Sequence, residues 1–128
     1  MNIDPLTFAE FRQANVHRCT TVFHELDKWS ETDWGCALTG ETGELCNLLK
    51  KRHRWLQGMP NPNEKAPPTE EECAKEAGDI VAYLDLLCAR MGIDLGSAVL
   101  RSSTRSARGW VASRRPWLIP GFSSERTP

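Results

Sequence analysis

The strongest constraint on the fold is a pair of long segments with helical periodicity on either side of one loop-like segment. Over residues 33–56 and 69–91, apolar side chains recur at three- and four-residue steps, which predicts two helices. The intervening sequence, GMPNPNEKAPP, is too rich in proline, glycine and asparagine to continue either helix. Helical periodicity in both segments predicts an all-α chain, and two helices joined by a loop of this length are expected to pack antiparallel.

Local signals predict the ends of these two helices. Ser30 and Asp33 are positioned to cap the start of the first helix. Thr69 and Glu72 have the spacing of a capping box, which places the start of the second helix there. Gly92 is a typical residue just beyond a helix end.

Two further helical segments complete the predicted fold. Apolar residues from Phe8 to Leu26 recur at helical steps, and Asp94 is a candidate cap for the short segment DLGSAVL. No segment alternates apolar and polar residues with the period of a strand. We therefore predict one domain over residues 1–100, an antiparallel bundle of four helices.

Composition limits the classes of protein to consider. The chain has 128 residues, of which 40% are hydrophobic and 26% charged, and these values suit one globular domain. The net charge of −1 provides no field that would attract nucleic acid or an anionic membrane. No apolar run approaches the roughly 20 residues that span a bilayer. No specific nucleic-acid or membrane partner is therefore expected.

The five cysteines show no metal-binding spacing. They form no C-x-x-C motif and have no clustered histidines beside them, so a zinc site is not expected. Reduced, mostly core cysteines in a cytoplasmic protein are the expectation, because the N-terminal sequence MNIDPLTFAEFRQ has no signal-peptide features. The large apolar groups, some of the tryptophans among them, favour a homo-oligomer.

Each long helix carries two acidic residues on or beside its apolar stripe. In ALTGETGELCNLLKK, Glu41 and Glu44 lie three residues apart among two glycines. In EECAKEAGDIVAYLDLL, Glu76 and Asp79 repeat that spacing with one glycine between them. Because residues three apart share a helix face, each helix offers a carboxylate pair next to its packed side.

These acids have two interpretations. A single E-x-x-E pair usually faces solvent, and Lys50, Lys51 or Lys75 can form salt bridges with the carboxylates. Burial of an unpaired carboxylate costs several kcal/mol, however, and each helical glycine costs up to about 1 kcal/mol. A sequence that repeats both costs favours a bound ligand, and a hard divalent cation that also contacts phosphate fits best.

The two acidic motifs resemble a known family. G-E-x-G-E followed by E-x-x-D-I-x-x-Y-L is similar to the signature of the MazG-like all-α nucleotide pyrophosphohydrolases, which include dCTP pyrophosphatases and dimeric dUTPases. The resemblance covers about residues 29–99. It implies a helical bundle, assembled as a homodimer or homotetramer, that hydrolyses a nucleoside triphosphate to the monophosphate and pyrophosphate. Phosphoribosyl-ATP hydrolases share the acidic helices, but the tryptophan-rich lead-in looks more like the dCTP and phage-type branch.

The resemblance implies a Mg²⁺ site, in which Mn²⁺ is a substitute. Its ligands would be the acidic residues of both motifs, Glu41, Glu44, Glu76 and Asp79. The metal would neutralise the phosphates and activate a water for attack on phosphorus. Either Glu41 or Glu44 would be the catalytic residue that accepts the proton of that water, and the sequence leaves the choice open.

The resemblance also implies substrate-binding residues. Tyr83 aligns with an aromatic residue that lines the base pocket of dCTP-type relatives. Trp29 and Trp34 precede the first acidic motif, where relatives place a base-stacking tryptophan. For all three, core packing is the alternative. Lys50 and Lys51 are candidates for phosphate contacts, and simple exposure to solvent is the alternative for them.

The C-terminal segment departs from the family pattern. Many relatives have a segment like Lys-Phe-Asn-Glu-Val-Ser-Ala-Arg-Val-Gly, whose Lys and Asn contact the nucleotide, where this chain has SSTRSARGWV. With one choice of synonymous codons, a DNA sequence that encodes the relatives' segment encodes the segment found here when it is read one base later. We hypothesise a frame shift near Arg101, which leaves residues 101–128 as an irregular, basic, poorly ordered tail and weakens activity. A naturally divergent tail is the alternative, and coding DNA with no Lys-Phe-Asn in a neighbouring frame would exclude the shift.

Two functions compete at this point. The first is a Mg²⁺-dependent nucleoside triphosphate pyrophosphohydrolase that cleans the nucleotide pool. The second is a non-catalytic helical module that binds a nucleotide or a partner protein and keeps its acidic residues in salt bridges. A metal titration separates them, because a cation that binds only the native state stabilises it.

Overall fold

The computed structural model describes residues 5–102, and these residues form helices and connecting segments without a strand. The helices are α1 (Phe8–Val22), a short 3-10 helix (Leu26–Lys28), α2 (Glu31–Leu56), α3 (Glu70–Arg90) and α4 (Leu95–Ser102). The all-α prediction and the predicted order of four helices are confirmed. The chain divides into two units, Met1–Leu95 and Gly96–Pro128. Nearly all of the tail to which the frame-shift hypothesis refers, residues 103–128, lies outside the described residues.

A capping box begins each of the three long helices. Thr69 and Glu72 exchange hydrogen bonds at the start of α3, and Ser30 and Asp33 do the same at the start of α2, as predicted. A third box, unpredicted, starts α1. In each box, hydrogen bonds from the capping residue hold the pKa of the acidic partner below its usual range. The caps satisfy backbone N–H groups that a helix start otherwise leaves without partners.

Helix α1 ends before the predicted position. Apolar spacing predicted a helix up to Leu26, but α1 ends at Val22 and Leu26 lies in the separate 3-10 helix. The backbone N–H groups of Phe23 and His24 both donate to the carbonyl of Cys19, which closes the helix. The turn brings the carbonyl of Leu26 to the indole N–H of Trp34 at 3.2 Å, so a tertiary hydrogen bond overrides the helical spacing.

Helix α3 is the central element of the first unit. It packs against α2 on one side and against α1 and the 3-10 helix on another. Cys19, Trp34 and Leu86 form the centre of the hydrophobic core, and each is at most 3% exposed. Because one helix packs against several neighbours, its buried residues do not follow a single stripe: Asp85 and Leu86 are adjacent in the chain and both are buried.

A buried polar network joins α1 to α3. Asp85 is 1% exposed and accepts hydrogen bonds from Arg12 Nε at 2.6 Å and from Asn15 Nδ2 at 3.1 Å. Arg12 also donates to the carbonyl of Ile93 at 3.0 Å, just beyond the end of α3. A buried carboxylate is tolerated when a cation and further donors satisfy it, and here they do.

Two predictions about small residues have different outcomes. Gly92 follows α3 with a φ of 68°, the left-handed conformation that a residue beyond a helix end often adopts, so that prediction is confirmed. The prediction of mostly core cysteines is wrong. Cys19 and Cys88 are buried, but Cys36 and Cys46 are exposed on α2. All five thiols are free.

Within residues 5–102, no helix combines the length and the apolar character that crossing a bilayer takes.

Candidate metal centre and aromatic pocket

Three of the four predicted acidic residues converge between α2 and α3. Glu41, Glu44 and Glu76 each place a carboxylate oxygen within 4.8 Å of the others. The first two lie one turn apart on α2, and the third faces them from the antiparallel helix α3. The antiparallel packing brings together residues that are over 30 positions apart in the chain.

The electrostatic environment of Glu41 is unfavourable for its negative charge. Burial raises the pKa of the Glu41 carboxyl above its usual range, and the neighbouring charges of Glu44, Asp79 and Glu76 raise it further. The ammonium group of Lys75 opposes this effect. Because like charges are held together here, a positive ion would remove a cost that the metal-free cluster retains.

Glu76 has a buried carboxylate oxygen that no described residue satisfies. Its side chain is 13% exposed, and its Oε2 is buried without a hydrogen-bond partner among the described residues. Its Oε1 accepts from Lys75 Nζ at 3.2 Å. A buried carboxylate oxygen without a partner is costly, and divalent cations such as Mg²⁺ and Mn²⁺ bind such oxygens. The donor set therefore fits a hard divalent cation.

Asp79, the fourth predicted ligand, does not join the group within 4.8 Å. Its carboxylate is 41% exposed and accepts a hydrogen bond from Lys75 Nζ at 2.8 Å. Asp79 is nevertheless close enough to raise the pKa of the Glu41 carboxyl. Lys75 forms the kind of salt bridge that the non-catalytic alternative requires, and its two carboxylate partners raise its own pKa.

The glycines of the acidic motifs border open space. An added Cβ at Gly40, Gly43 or Gly78 would meet no heavy atom within 4 Å. Among the described residues, no neighbouring helix comes close enough to need a glycine at these positions. The space that they leave open remains accessible to a ligand or to another chain.

An aromatic pocket lies two helical turns from the acidic cluster. Its volume is about 220 Å³, and Trp29, Trp34 and Tyr83 contribute to its lining. The rings of Trp29 and Trp34 are 4.7 Å apart, and those of Trp34 and Tyr83 are 6.3 Å apart. The structure thus brings the three predicted aromatic residues to one pocket. Trp34 is 2% exposed, so core packing accounts for most of its surface.

Sequence reasoning missed two polar residues of this pocket, Arg18 and His24. The ring of His24 lies 4.9 Å from that of Trp29 and 5.7 Å from that of Trp34. Both residues come from the end of α1 and the turn after it. No local pattern marks them, because the turn that ends α1 at Val22 decides where their side chains lie.

The two predicted phosphate-binding lysines lie apart from the acidic cluster. Lys50 is exposed. Lys51 borders a different cavity, of about 310 Å³, under the proline-rich loop. Its charge contributes to the lowered pKa of Glu72 at the start of α3. In this structure neither lysine is grouped with Glu41, Glu44 and Glu76.

Fold and site together define an all-α protein with a candidate carboxylate metal centre beside an aromatic pocket. The chain is similar to human dCTP pyrophosphatase 1, with 34% identity over 76 residues. That alignment covers 59% of this chain and 43% of the human protein, so the chain spans less than half of the relative's length. No family model and no solved structure matches the chain.

Proposed function

We propose that the chain is a Mg²⁺-dependent nucleoside triphosphate pyrophosphohydrolase of the MazG-like group, acting in nucleotide-pool housecleaning. It would convert ribo- or deoxyribonucleoside triphosphates to monophosphates and pyrophosphate. The observation that carries the proposal is the convergence of three carboxylates within 4.8 Å, with a buried Glu76 oxygen that has no partner among the described residues. The similarity to a protein named dCTP pyrophosphatase supports it.

The acidic residues would have two roles, metal binding and proton transfer. Glu41, Glu44 and Glu76 would hold Mg²⁺ or Mn²⁺, and Asp79 would join them after a side-chain rotation that breaks its bond to Lys75. The ion would neutralise phosphate charge and make a bound water more acidic. Glu41 or Glu44 would take the proton from the attacking water.

The distance between the two sites suits a nucleotide. Trp34 and Glu41 are seven residues apart on α2, which places them about 10 Å apart along one face of the helix. Tyr83 and Glu76 have the same separation on α3. A base packed against the aromatic rings that line the pocket would leave its sugar and phosphates pointing along the two helices toward the carboxylates.

The direct test is pyrophosphate release from a panel of nucleoside triphosphates with and without Mg²⁺. Glu41→Gln should abolish release, and the matched variant Glu31→Gln, at an exposed position in the first turn of α2, should retain it. Release that does not need metal, or that survives in Glu41→Gln, would contradict the proposal. If the panel is silent, the assay should be repeated on a chain with the alternative C-terminal frame restored.

A second function is favoured by the contacts of Lys75. Its ammonium group already bonds to Glu76 and Asp79, as in a non-catalytic module that neutralises its own acids. Thermal unfolding in increasing Mg²⁺ distinguishes the two. The enzyme should gain about 2.7 kcal/mol of stability at a hundred times the Kd, whereas a salt-bridged module should gain nothing.

We also propose that the chain assembles as a homodimer or homotetramer. Leu6, Phe8 and Val81 are 66%, 46% and 42% exposed, and they line an apolar groove of about 450 Å³ between α1 and α3. A second copy would cover this surface. Light scattering should give a multiple of 14.4 kDa, and Val81→Glu should reduce it. A monomer at micromolar concentration would contradict the proposal.

A further inference from the structure

The aromatic pocket carries a permanent positive charge at its edge. Arg18 lines the pocket together with Phe23 and Trp29, and its guanidinium group lies 5.5 Å from the centre of the Phe23 ring. An arginine side chain only donates hydrogen bonds and keeps its charge at any physiological pH. A ligand group that meets Arg18 must therefore be an acceptor.

The orientation of Arg18 is set from the buried core. Asn15, which is 4% exposed, donates through Nδ2 to the carbonyl of Ala82 at 2.9 Å and to Asp85 at 3.1 Å. These two acceptors determine which end of the amide is nitrogen, so its oxygen must face the other way. That oxygen accepts from Arg18 Nη2 at 3.2 Å. One edge of the guanidinium group is thereby held, and other N–H donors remain for a ligand.

Three other polar groups of the pocket wall are already bonded to backbone carbonyls. The indole N–H of Trp34 donates to Leu26 and the thiol of Cys19 donates to His24. The Nδ1 of His24 must be a donor as well, because its partner is the carbonyl of Glu25 at 2.9 Å. Arg18 thus differs from these groups in having donors to spare.

We propose that Arg18 determines base specificity in the aromatic pocket by donating a hydrogen bond to a carbonyl oxygen of the nucleobase. The proposal rests on the proposed function, since it assumes that a nucleotide base occupies the pocket. Guanine, cytosine, uracil and thymine each carry a ring carbonyl, whereas adenine carries none. The pocket is therefore selective for bases with a carbonyl group and discriminates against adenine.

The size of the effect follows from the exposure of Arg18. A site built to hydrogen-bond a substrate group rejects an analogue that lacks the group. Arg18 is exposed, so water partly replaces a lost contact, and the discrimination should lie at the lower end of the range for charged donors. We expect the best carbonyl-bearing substrate to exceed dATP by about tenfold in kcat/KM, and more where the base also fits the aromatic rings better.

The test compares dATP with dGTP, dCTP and dTTP in the wild type and three variants. Arg18→Met keeps the aliphatic stem and removes the donors, and it should reduce the advantage over dATP to about onefold or twofold. Arg18→Lys restores a charged donor and should recover part of the ratio. Lys28→Met removes one exposed positive charge outside the pocket lining, and it should leave the ratio unchanged. A uniform loss on all four substrates would show a structural role only and would overturn the proposal.

Binding to the Glu41→Gln variant, followed by tryptophan fluorescence, separates this inference from the proposed function. If the variant binds nucleotides selectively but the wild type shows no metal-dependent pyrophosphate release, the proposed enzymatic function is wrong and the role of Arg18 in base selection stands. If the wild type releases pyrophosphate and its base preference is unchanged by Arg18→Met, the proposed enzymatic function stands and the inference about Arg18 is overturned. Failure to bind any of the four nucleotides would overturn both.

Discussion

The aromatic pocket and the acidic cluster lie two turns apart on the same helices but satisfy their polar groups differently. In the pocket, polar groups of Cys19, His24 and Trp34 donate to backbone carbonyls, so these three groups need no ligand to satisfy them. In the cluster, like charges raise the pKa of Glu41, and an oxygen of Glu76 has no partner among the described residues. The buried groups of the pocket thus contribute stability, whereas the like charges of the cluster reduce it, and a bound cation would remove that cost.

The largest expected effect falls on the pocket side of this comparison. Trp34→Ala removes a side chain that is 2% exposed, leaves a cavity in the core and loses the bond to Leu26. We expect the free energy of unfolding to fall by about 3–5 kcal/mol in chemical denaturation. Leu56→Ala, at a position 79% exposed on the same helix, is the matched control and should change it little. If Trp34→Ala and Leu56→Ala lowered the free energy of unfolding equally, Trp34 would not be a core residue.

In the acidic cluster, Glu76→Gln should reduce activity without reducing the stability of the metal-free protein, the reverse of what is expected for the core residue Trp34. It removes a charge and a ligand, so Mg²⁺-dependent pyrophosphate release should fall by about a hundredfold or more. Without metal, the unfolding temperature should stay equal or rise, because a like-charge repulsion has gone. The measurements are a pyrophosphate assay and a thermal melt without divalent ions. A marked loss of metal-free stability would show that the carboxylate is structural.

Lys75→Met tests whether the lysine occupies the cation position in the metal-free protein. Its side chain is 68% exposed, and its ammonium group would compete with a metal for Glu76 and Asp79. Removal should tighten Mg²⁺ binding a few-fold in calorimetry and change stability little, since exposed salt bridges contribute little. Lys65→Met, on the exposed loop, is the control. Weaker metal binding in Lys75→Met would contradict this role.

The smallest expected effect concerns a charge that, unlike Glu41, is stabilised by folding. Hydrogen bonds from Thr69 lower the pKa of Glu72 below its ordinary value of 4.5. Its contribution to stability is therefore present above that pH and is lost as the pH falls through the lowered folded-state pKa. Glu72→Gln should lower the unfolding temperature by a few degrees near neutral pH, and this difference should shrink as the pH falls below 4.5.

The control for the cap is Glu71→Gln, which removes a neighbouring exposed charge without touching the capping box. It should show a smaller change at neutral pH and no comparable dependence on acid. A pH-independent difference between Glu72→Gln and the wild type would show that its charge is not what caps α3.

Much of the local structure could be predicted because it depends on neighbouring residues. The caps at Ser30 and Thr69, the loop between the long helices and the turn at Gly92 each require only a few adjacent residues in the right order. The convergence of Glu41 and Glu44 with Glu76 could also be predicted, because antiparallel packing of two acidic helix faces leaves few alternatives. Their roles as ligands stay predictions.

Other features could not be predicted from spacing. The sequence pattern alone placed Leu26 in the first helix, marked Asp79 as equivalent to Glu76 and left Arg18 unassigned. Leu26 bonds to Trp34 of the following helix, and Arg18 is oriented by an asparagine that α3 holds in place, so both positions depend on contacts between elements. Asp79 bonds instead to Lys75, four residues earlier on α3, a local pair that the spacing allows but does not single out.

By itself, the sequence determined an all-α chain with two long antiparallel helices and an acidic pair on each, because periodicity, caps and glycine positions act over a few residues. The tertiary structure alone decided which carboxylates meet, which oxygen is left without a partner and which side chains surround the aromatic pocket. These depend on the relative placement of α1, α2 and α3, which is set by burial of Cys19, Trp34 and Leu86 and by the hydrogen bonds of Asp85.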